Sequence, residues 1–413
     1  MKGGKGGKGG KEIFFTIFVA NVTNILIMKT HVIFVLFFLS CMNCGCSKGT
    51  DEFQVMIRKN VDWRDISSYF KPPPQYENVF GDYRSPLVFA NGDSVRTPAD
   101  WTKRRKEIYD NWMQMMGKWP PFLEDNRFEY LDAVQKDGYV EHKVRFDWAT
   151  FNKTTGYLLK PDRKGMKPAV IVVFYEPETA AGLESARPEL YLDYARQLAK
   201  RGFVTLSIGT SEVHTDNTFM QFYPDYQTHR IEILSLEAYL AANAWYALSK
   251  VDDVDEKRIG ITGWSYGGKW AMFSACLFDR FACAVWNDAG IVFDESRPNL
   301  NYWEPYYLCY HDPPWRRRGP ITPENPAKGL YLKLREEGYD MHELHAVMAP
   351  RPFLITGGFD DPVERWIPLN HSIAVNRLLG YSDRVAMSNR TNHEPNEESN
   401  EILADFFSYY LDF

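Results

Sequence analysis

Residues 261–273 read ITGWSYGGKWAMF and place Ser265 between Gly263 and Gly267, with Gly268 and Lys269 following. A Gly-x-Ser-x-Gly run carries chemistry only where a strand turns sharply into a helix. Arg258–Thr262 has an apolar strand pattern and Lys269–Phe278 reads as a helix, so the context is met. The glycines allow close backbone approach, and the turn lifts the Ser265 hydroxyl clear of the sheet. The Tyr266 amide then lies at a helix N-terminus, where it can face a developing oxyanion. A second amide is expected from the loop after the apolar run 169–175, at Tyr175 or Glu176.

A serine hydroxyl is a weak nucleophile at neutral pH; it needs a base, and the base needs an acid to orient it. In a strand–turn–helix setting the chain order is serine, acid, histidine. His393 lies in SNRTNHEPNEES, a polar loop between a strand-like stretch and the last helix, and is the expected base. His342 and His345 share a helical face and read as surface or hydrogen-bonded structural residues, and His371 reads as helical. Two places offer the acid. In PFLITGGFDDPVERW, Asp360 follows a buried strand and is the first choice, with Asp361 as a loop cap. Asp288 in WNDAG, after the preceding strand, is the alternative. No metal is required, no ligand set has zinc spacing, and no cofactor is expected.

These side chains need a scaffold, and the periodicities supply one. A hairpin is expected over Val140–Trp148 and Gly156–Lys160, and buried strands over 169–175, 203–208, 258–262, 281–286 and 352–356. Helices are expected at Tyr191–Lys200, Ile231–Lys250, Lys269–Phe278 and Ile402–Leu411, and another, capped at Asp100, from residue 101. Strands alternating with helices imply an α/β fold: a mostly parallel sheet with helices on both faces and an antiparallel N-terminal edge hairpin. Residues 291–345 have little periodicity and read as an insertion over the carboxyl end of the sheet.

The 413 residues are 45% apolar and 25% charged, with net charge −6. This allows a large core, argues against general disorder, and gives no footprint for nucleic acid. MKGGKGGKGGKE is low-complexity. From Met28, MKTHVIFVLFFLSC has a cationic start, an apolar stretch too short to span a bilayer, and Cys41, as in a bacterial lipoprotein signal. Translation from Met28 rather than Met1 and a lipid anchor at Cys41 are therefore expected, with export to the periplasm or cell surface. Residues 1–41 form that segment, 42–98 a Pro-rich tether or wrap, and 99–413 the enzyme domain. Of the six cysteines only Cys276, Cys283 and Cys309 lie in the body, so no disulfide framework is expected.

The residues resemble α/β-hydrolases of the dienelactone hydrolase and acetyl xylan esterase type over about 100–413, and within them the glucuronoyl esterase family. The resemblance rests on W…KRRKEI at 101–108, the serine motif with Gly268 and Lys269, NDAG at 287–290 and DMHELHAVMAPRPFLI at 340–355. It implies that the acid follows either the sixth or the seventh strand, matching Asp288 and the Asp360 region, and that Lys269 contacts uronic acid hydroxyls. That family has arginine after the nucleophile; this chain has Tyr266, and GWSYGG with DDPV instead is similar to the prolyl oligopeptidase family. DPPWRRRGP gathers Trp315, Arg316, Arg317 and Arg318, suited to an acidic or acylated oligosaccharide. The expected activity is an exported serine carbohydrate esterase acting on a glucuronoyl or acetyl ester of a plant or algal polysaccharide. The alternatives are a serine peptidase or small-molecule esterase, and a catalytically dead glycan-binding protein of the same fold.

Overall fold

A computed structural model describes residues 60–183, 190–210, 223, 228, 231–297, 307–308, 311, 314, 316–317 and 319–411. Residues 55–413 form one compact unit. The expected signal segment and Cys41 anchor, and also Cys309, Trp315 and Arg318, lie outside the described residues. Among the described residues, no helix is long and apolar enough to cross a membrane.

Nine strands make one sheet: β1 Glu129–Gln135, β2 Tyr139–Ala149, β3 Asn152–Pro161, β4 Lys167–Val173, β5 Val204–Ile208, β6 Val254–Trp264, β7 Ala284–Asn287, β8 Phe353–Gly357 and β9 Val385–Asn389. Their spatial order is β1-β2-β3-β5-β4-β6-β7-β8-β9. β1 to β3 are antiparallel, β3 pairs antiparallel with β5, and β5 to β9 are parallel. The helices are α1 Trp63–Ile66, α2 Pro98–Met116, α3 Pro177–Ala181, α4 Tyr194–Lys200, α5 Ile233–Ser249, α6 Tyr266–Leu277, α7 Gly329–Glu336, α8 His342–Val347, α9 Trp366–Leu378 and α10 Glu397–Tyr410. This is the α/β-hydrolase fold, with two hydrophobic cores on the two sides of the sheet.

The burial of each strand follows its sequence. β4 (KPAVIVV) and β5 (VTLSI) are buried at every position, as strands covered on both faces must be. β2 alternates, because one face packs on α5 and the other is wetter. β1 (EYLDAVQ) is exposed along its whole length and exists through its ladder to β2, which is why composition gives no sign of it. At α2 the cap is Thr97 rather than Asp100: the Thr97 side chain accepts from the Asp100 amide and Asp100 reaches back, a capping box.

Residues 60–97 pack against the domain. Asn370 on α9 donates to the Tyr76 and Val79 carbonyls at 2.7 Å each, and Arg84 pairs with buried Glu343 at 2.8 Å. His342 and His345 are also interior: His342 bonds the Arg84 carbonyl at 2.6 Å, and His345 packs on Trp286 and Phe353. The surface expected from their helical spacing is covered by the N-terminal wrap and by the sheet. The insertion expected to have little periodicity contains α7 and most of α8; in α7, Lys333, Arg335 and Glu336 surround the buried Tyr331 and Leu334 and mask the helical spacing.

The tightest packing lies under the serine turn. A Cβ on Gly267 would run into the Val173 carbonyl oxygen of β4, and one on Gly263 into the Gly267 backbone. Both obstacles are main chain and cannot swing aside. Gly267→Ala is therefore expected to cost about 3 kcal/mol or more of stability, measured by urea unfolding. A variant as stable as the parent would show that α6 does not bear on β4.

Candidate active site

Ser265 follows β6 and caps α6 with φ 55 and ψ −115, a conformation rare for any residue with a Cβ and worth about 1–3 kcal/mol of strain. Asn287, the last residue of β7, holds it there. Its carbonyl accepts the Ser265 amide at 2.9 Å, and its side-chain amide donates to the Gly263 carbonyl at 3.0 Å. The helix locks the other side, with the Lys269 amide donating to the Ser265 carbonyl at 3.0 Å. α6 begins at Tyr266, three residues before the expected Lys269, because Tyr-Gly-Gly already forms its first turn.

His393 reaches both partners at once. Its Nε2 lies 2.8 Å from Ser265 Oγ and its Nδ1 lies 2.6 Å from Asp288 Oδ2. Asp360, the first choice from sequence, stands farther off: its Oδ2 is 3.6 Å from Nδ1, beyond hydrogen-bond length. The reason lies in the loops. Asp288 has φ 43, which turns its carboxylate inward, where it accepts the amides of Gly358 (2.7 Å), Asp360 (3.0 Å) and Asp361 (2.8 Å). The β8 loop thus wraps its backbone around Asp288 and leaves the Asp360 side chain beside the imidazole.

Asp361 answers from the other loop, accepting the amides of Gly290 (2.8 Å) and Ile291 (2.7 Å), with Arg365 3.5 Å away. Burial first, and then the neighbouring Asp288 charge, push its carboxyl up to about 6. Gly358 is needed here, since a Cβ would meet Asp288 Oδ2 at 2.8 Å. Asp288, Asp360 and His393 also place ligand atoms within 4.8 Å of one another, but these atoms belong to the hydrogen-bond network just described.

Tyr266 is turned into the core and 4% exposed. Its ring stacks on Tyr175 at 4.7 Å and 15° and packs on Tyr307 at 5.3 Å, and its hydroxyl donates to Glu237 on α5. Tyr175 and Glu176 follow β4, where Glu176 caps α3 and the Tyr175 carbonyl accepts the Thr210 amide at 2.9 Å. Two of the three residues expected to offer oxyanion amides, Tyr266 and Tyr175, thus have their rings in contact. Glu237 is a functional neighbour that sequence reasoning missed. It looks like any glutamate on an amphipathic helix, yet it is fully buried, and burial drives its carboxyl well above the ordinary range.

The expected substrate cations are placed differently. Lys269 is 3% exposed; burial lowers its pKa, opposed by the charges of Asp360, Asp361 and Asp288 in that order. Arg316 corrects the expectation of an exposed sugar-binding guanidinium. It is 6% exposed and donates to the carbonyls of Gly319, Pro320, Asn325 and Pro326, closing its own loop. Arg317 is exposed, with its amide bonded to Asn325. A charge run in sequence does not reveal which guanidinium the loop itself consumes.

Among solved structures, the chain is similar to a glucuronoyl esterase from Solibacter usitatus, at 16% identity and TM-score 0.62, over 80% of this chain and 98% of that one. It is similar to a promiscuous CE15 esterase from the marine bacterial metagenome, at 15% identity and TM-score 0.63, over 79% and 96%. A carbohydrate esterase family 15 glucuronoyl esterase from Caldicellulosiruptor kristjansonii aligns at 20% identity and TM-score 0.58, over 83% and 93%. At these identities the likeness establishes the fold. No protein-family model and no curated protein sequence matches the chain.

The Glu237–Tyr266 contact has a consequence for stability. A carboxyl raised above its ordinary 4.5 keeps a proton in the folded state that the unfolded chain releases. Its contribution is full below about 4.5 and is lost as pH rises toward the raised value. Glu237→Gln, a neutral isostere, is expected to stay within about 1 kcal/mol of the parent at pH 7 and to flatten that decline. Tyr266→Phe removes the donor and is expected to cost about 1–3 kcal/mol. Urea titrations from pH 4 to 8 measure both. A Glu237→Gln variant that loses several kcal/mol at pH 7 would mean the carboxylate is ionised there.

Proposed function

We propose that the chain is a serine carbohydrate esterase, with Ser265 as nucleophile, His393 as general base and acid, and Asp288 as the orienting acid. The observation that carries this is the imidazole bridging Ser265 Oγ at 2.8 Å and Asp288 Oδ2 at 2.6 Å across three strand ends. Asp288 accepts a hydrogen bond from Nδ1–H, which keeps that proton on Nδ1 and leaves Nε2 with a lone pair aimed at the serine hydroxyl. As Ser265 Oγ bonds to the ester carbonyl carbon, its proton passes to Nε2, and Asp288 stabilises the imidazolium. The tetrahedral oxyanion is held by the Tyr266 amide with one at Tyr175 or Glu176, each worth about 3 kcal/mol of barrier. Collapse expels the alkoxide, which takes the proton from Nε2. Water, deprotonated by the same nitrogen, then attacks the acyl-enzyme, releasing the acid and restoring the hydroxyl.

The substrate class draws on the similar structures, whose names describe glucuronoyl esterases and a CE15 esterase. The reading is an ester on a plant or algal polysaccharide, glucuronoyl or acetyl, met outside the cytoplasm by a protein exported and anchored through Cys41. Where the glucuronoyl esterase family has arginine after the nucleophile, this chain offers no side-chain cation, since Tyr266 faces Glu237. Oxyanion stabilisation from position 266 then rests on the amide alone.

A fluorophosphonate probe is expected to label the wild-type protein and not Ser265→Ala. Wild-type protein that resists the probe would favour a dead glycan-binding fold, and turnover of aminoacyl substrates in place of acyl sugars would favour a peptidase. On acetylated xylan or methyl glucuronate esters, Asp288→Asn is expected to lower kcat by roughly 10⁴-fold, and Asp360→Asn by about tenfold or less. The reverse ranking would move the orienting role to Asp360.

A further inference from the structure

We propose that Arg390, with Trp264, is a positioning residue that sets the imidazole of His393, an inference that rests on His393 being the base. Arg390 leaves β9 with its amide still bonded to the Gly357 carbonyl at 2.9 Å. Its guanidinium then spans two pieces of main chain. Nη1 donates to the Thr356 carbonyl of β8 at 2.7 Å; Nη2 donates to the His393 carbonyl and Nε to the Glu394 carbonyl, each at 2.7 Å. The loop from 391 to 395 has no helix or strand of its own, and this side chain ties it to β8 and β9.

The His393 carbonyl takes a second donor. The indole Nε1 of Trp264 reaches it at 2.9 Å, and the Trp264 ring lies 4.9 Å from the imidazole. Trp264 directly precedes the nucleophile, so β6 positions serine and histidine together. The main chain of His393 is thereby fixed from β6 on one side and from β8 and β9 on the other, leaving χ1 and χ2 to the Asp288 and Ser265 contacts. Carbonyl acceptors in three directions suit a planar five-donor fork, and a lysine ammonium cannot span them. Since a misplacement of about 1 Å costs on the order of 100-fold in rate, a loop without these ties would lose turnover before binding.

The test uses Arg390→Met, Arg390→Lys and Trp264→Phe in the full chain, with active sites titrated by a fluorophosphonate and thermal melting followed separately. Per titrated site, Arg390→Met is expected to lose about 100-fold in kcat with KM within about threefold, Trp264→Phe about tenfold, and Arg390→Lys an intermediate amount. Guanidinium ion at millimolar concentration is expected to restore part of the rate of Arg390→Ala and none of that of His393→Ala. If Arg390→Met does not fold, Arg390→Lys decides: a loss of about tenfold or more supports the role, and a wild-type kcat overturns it. Wild-type kcat in Arg390→Met, with His393→Ala inactive, also overturns it. Full activity in His393→Ala would defeat the parent reading instead.

Discussion

Two loops at the rim of the sheet hold each other by exchanging carboxylates for amides. Asp288, after β7, accepts the amides of residues 358, 360 and 361, after β8; Asp361, after β8, accepts those of 290 and 291, after β7. Each loop satisfies buried donors of the other that would cost about 1–3 kcal/mol apiece if left open. Because the clamp is reciprocal, neither loop can shift alone. It fixes the one carboxylate oxygen that meets His393 Nδ1, and with it the line from acid through base to serine.

Such a clamp concentrates negative charge in a dry place. The structure handles this unevenly. Asp288 accepts three amides and Asp361 two, and burial first, then the Asp288 charge, push the Asp361 carboxyl up to about 6. Lys269, buried one turn into α6, is depressed by desolvation yet supported by all three carboxylates.

The serine turn and the histidine loop were legible because their signals are local. Glycines at 263 and 267 bracket the turn within five residues of sequence, although part of the space they leave is filled by the Val173 carbonyl of β4, and a histidine in a polar loop before the last helix has few other places to be. The acid was not, since an aspartate follows both β7 and β8 within three residues and both loops reach the same imidazole. What separates Asp288 from Asp360 is a backbone φ of 43 and three amides from a segment some 70 residues away in the chain, which no spacing encodes. Arg316 and Glu237 failed for a related reason. A charged side chain reads the same whether it faces water, four carbonyls of its own loop, or a tyrosine in the core.

Tyr266 shows how a departure at one position can be absorbed by the rest of the site. Its backbone must sit at the first turn of α6 with an unbonded helical amide, whatever the side chain is. A cationic side chain there would add charge to the pocket; the tyrosine instead adds rigidity. Its ring is stacked on Tyr175, its hydroxyl is tied to a buried carboxyl on α5, and Tyr307 closes the third side. Tyr175, after β4, and Tyr266, after the nucleophile, are therefore held in ring contact, and under the proposed mechanism that contact spaces the two segments that supply the oxyanion amides. Preorganisation of dipoles substitutes for a mobile charge, and in a water-poor site fixed dipoles need no reorganisation when the oxyanion forms.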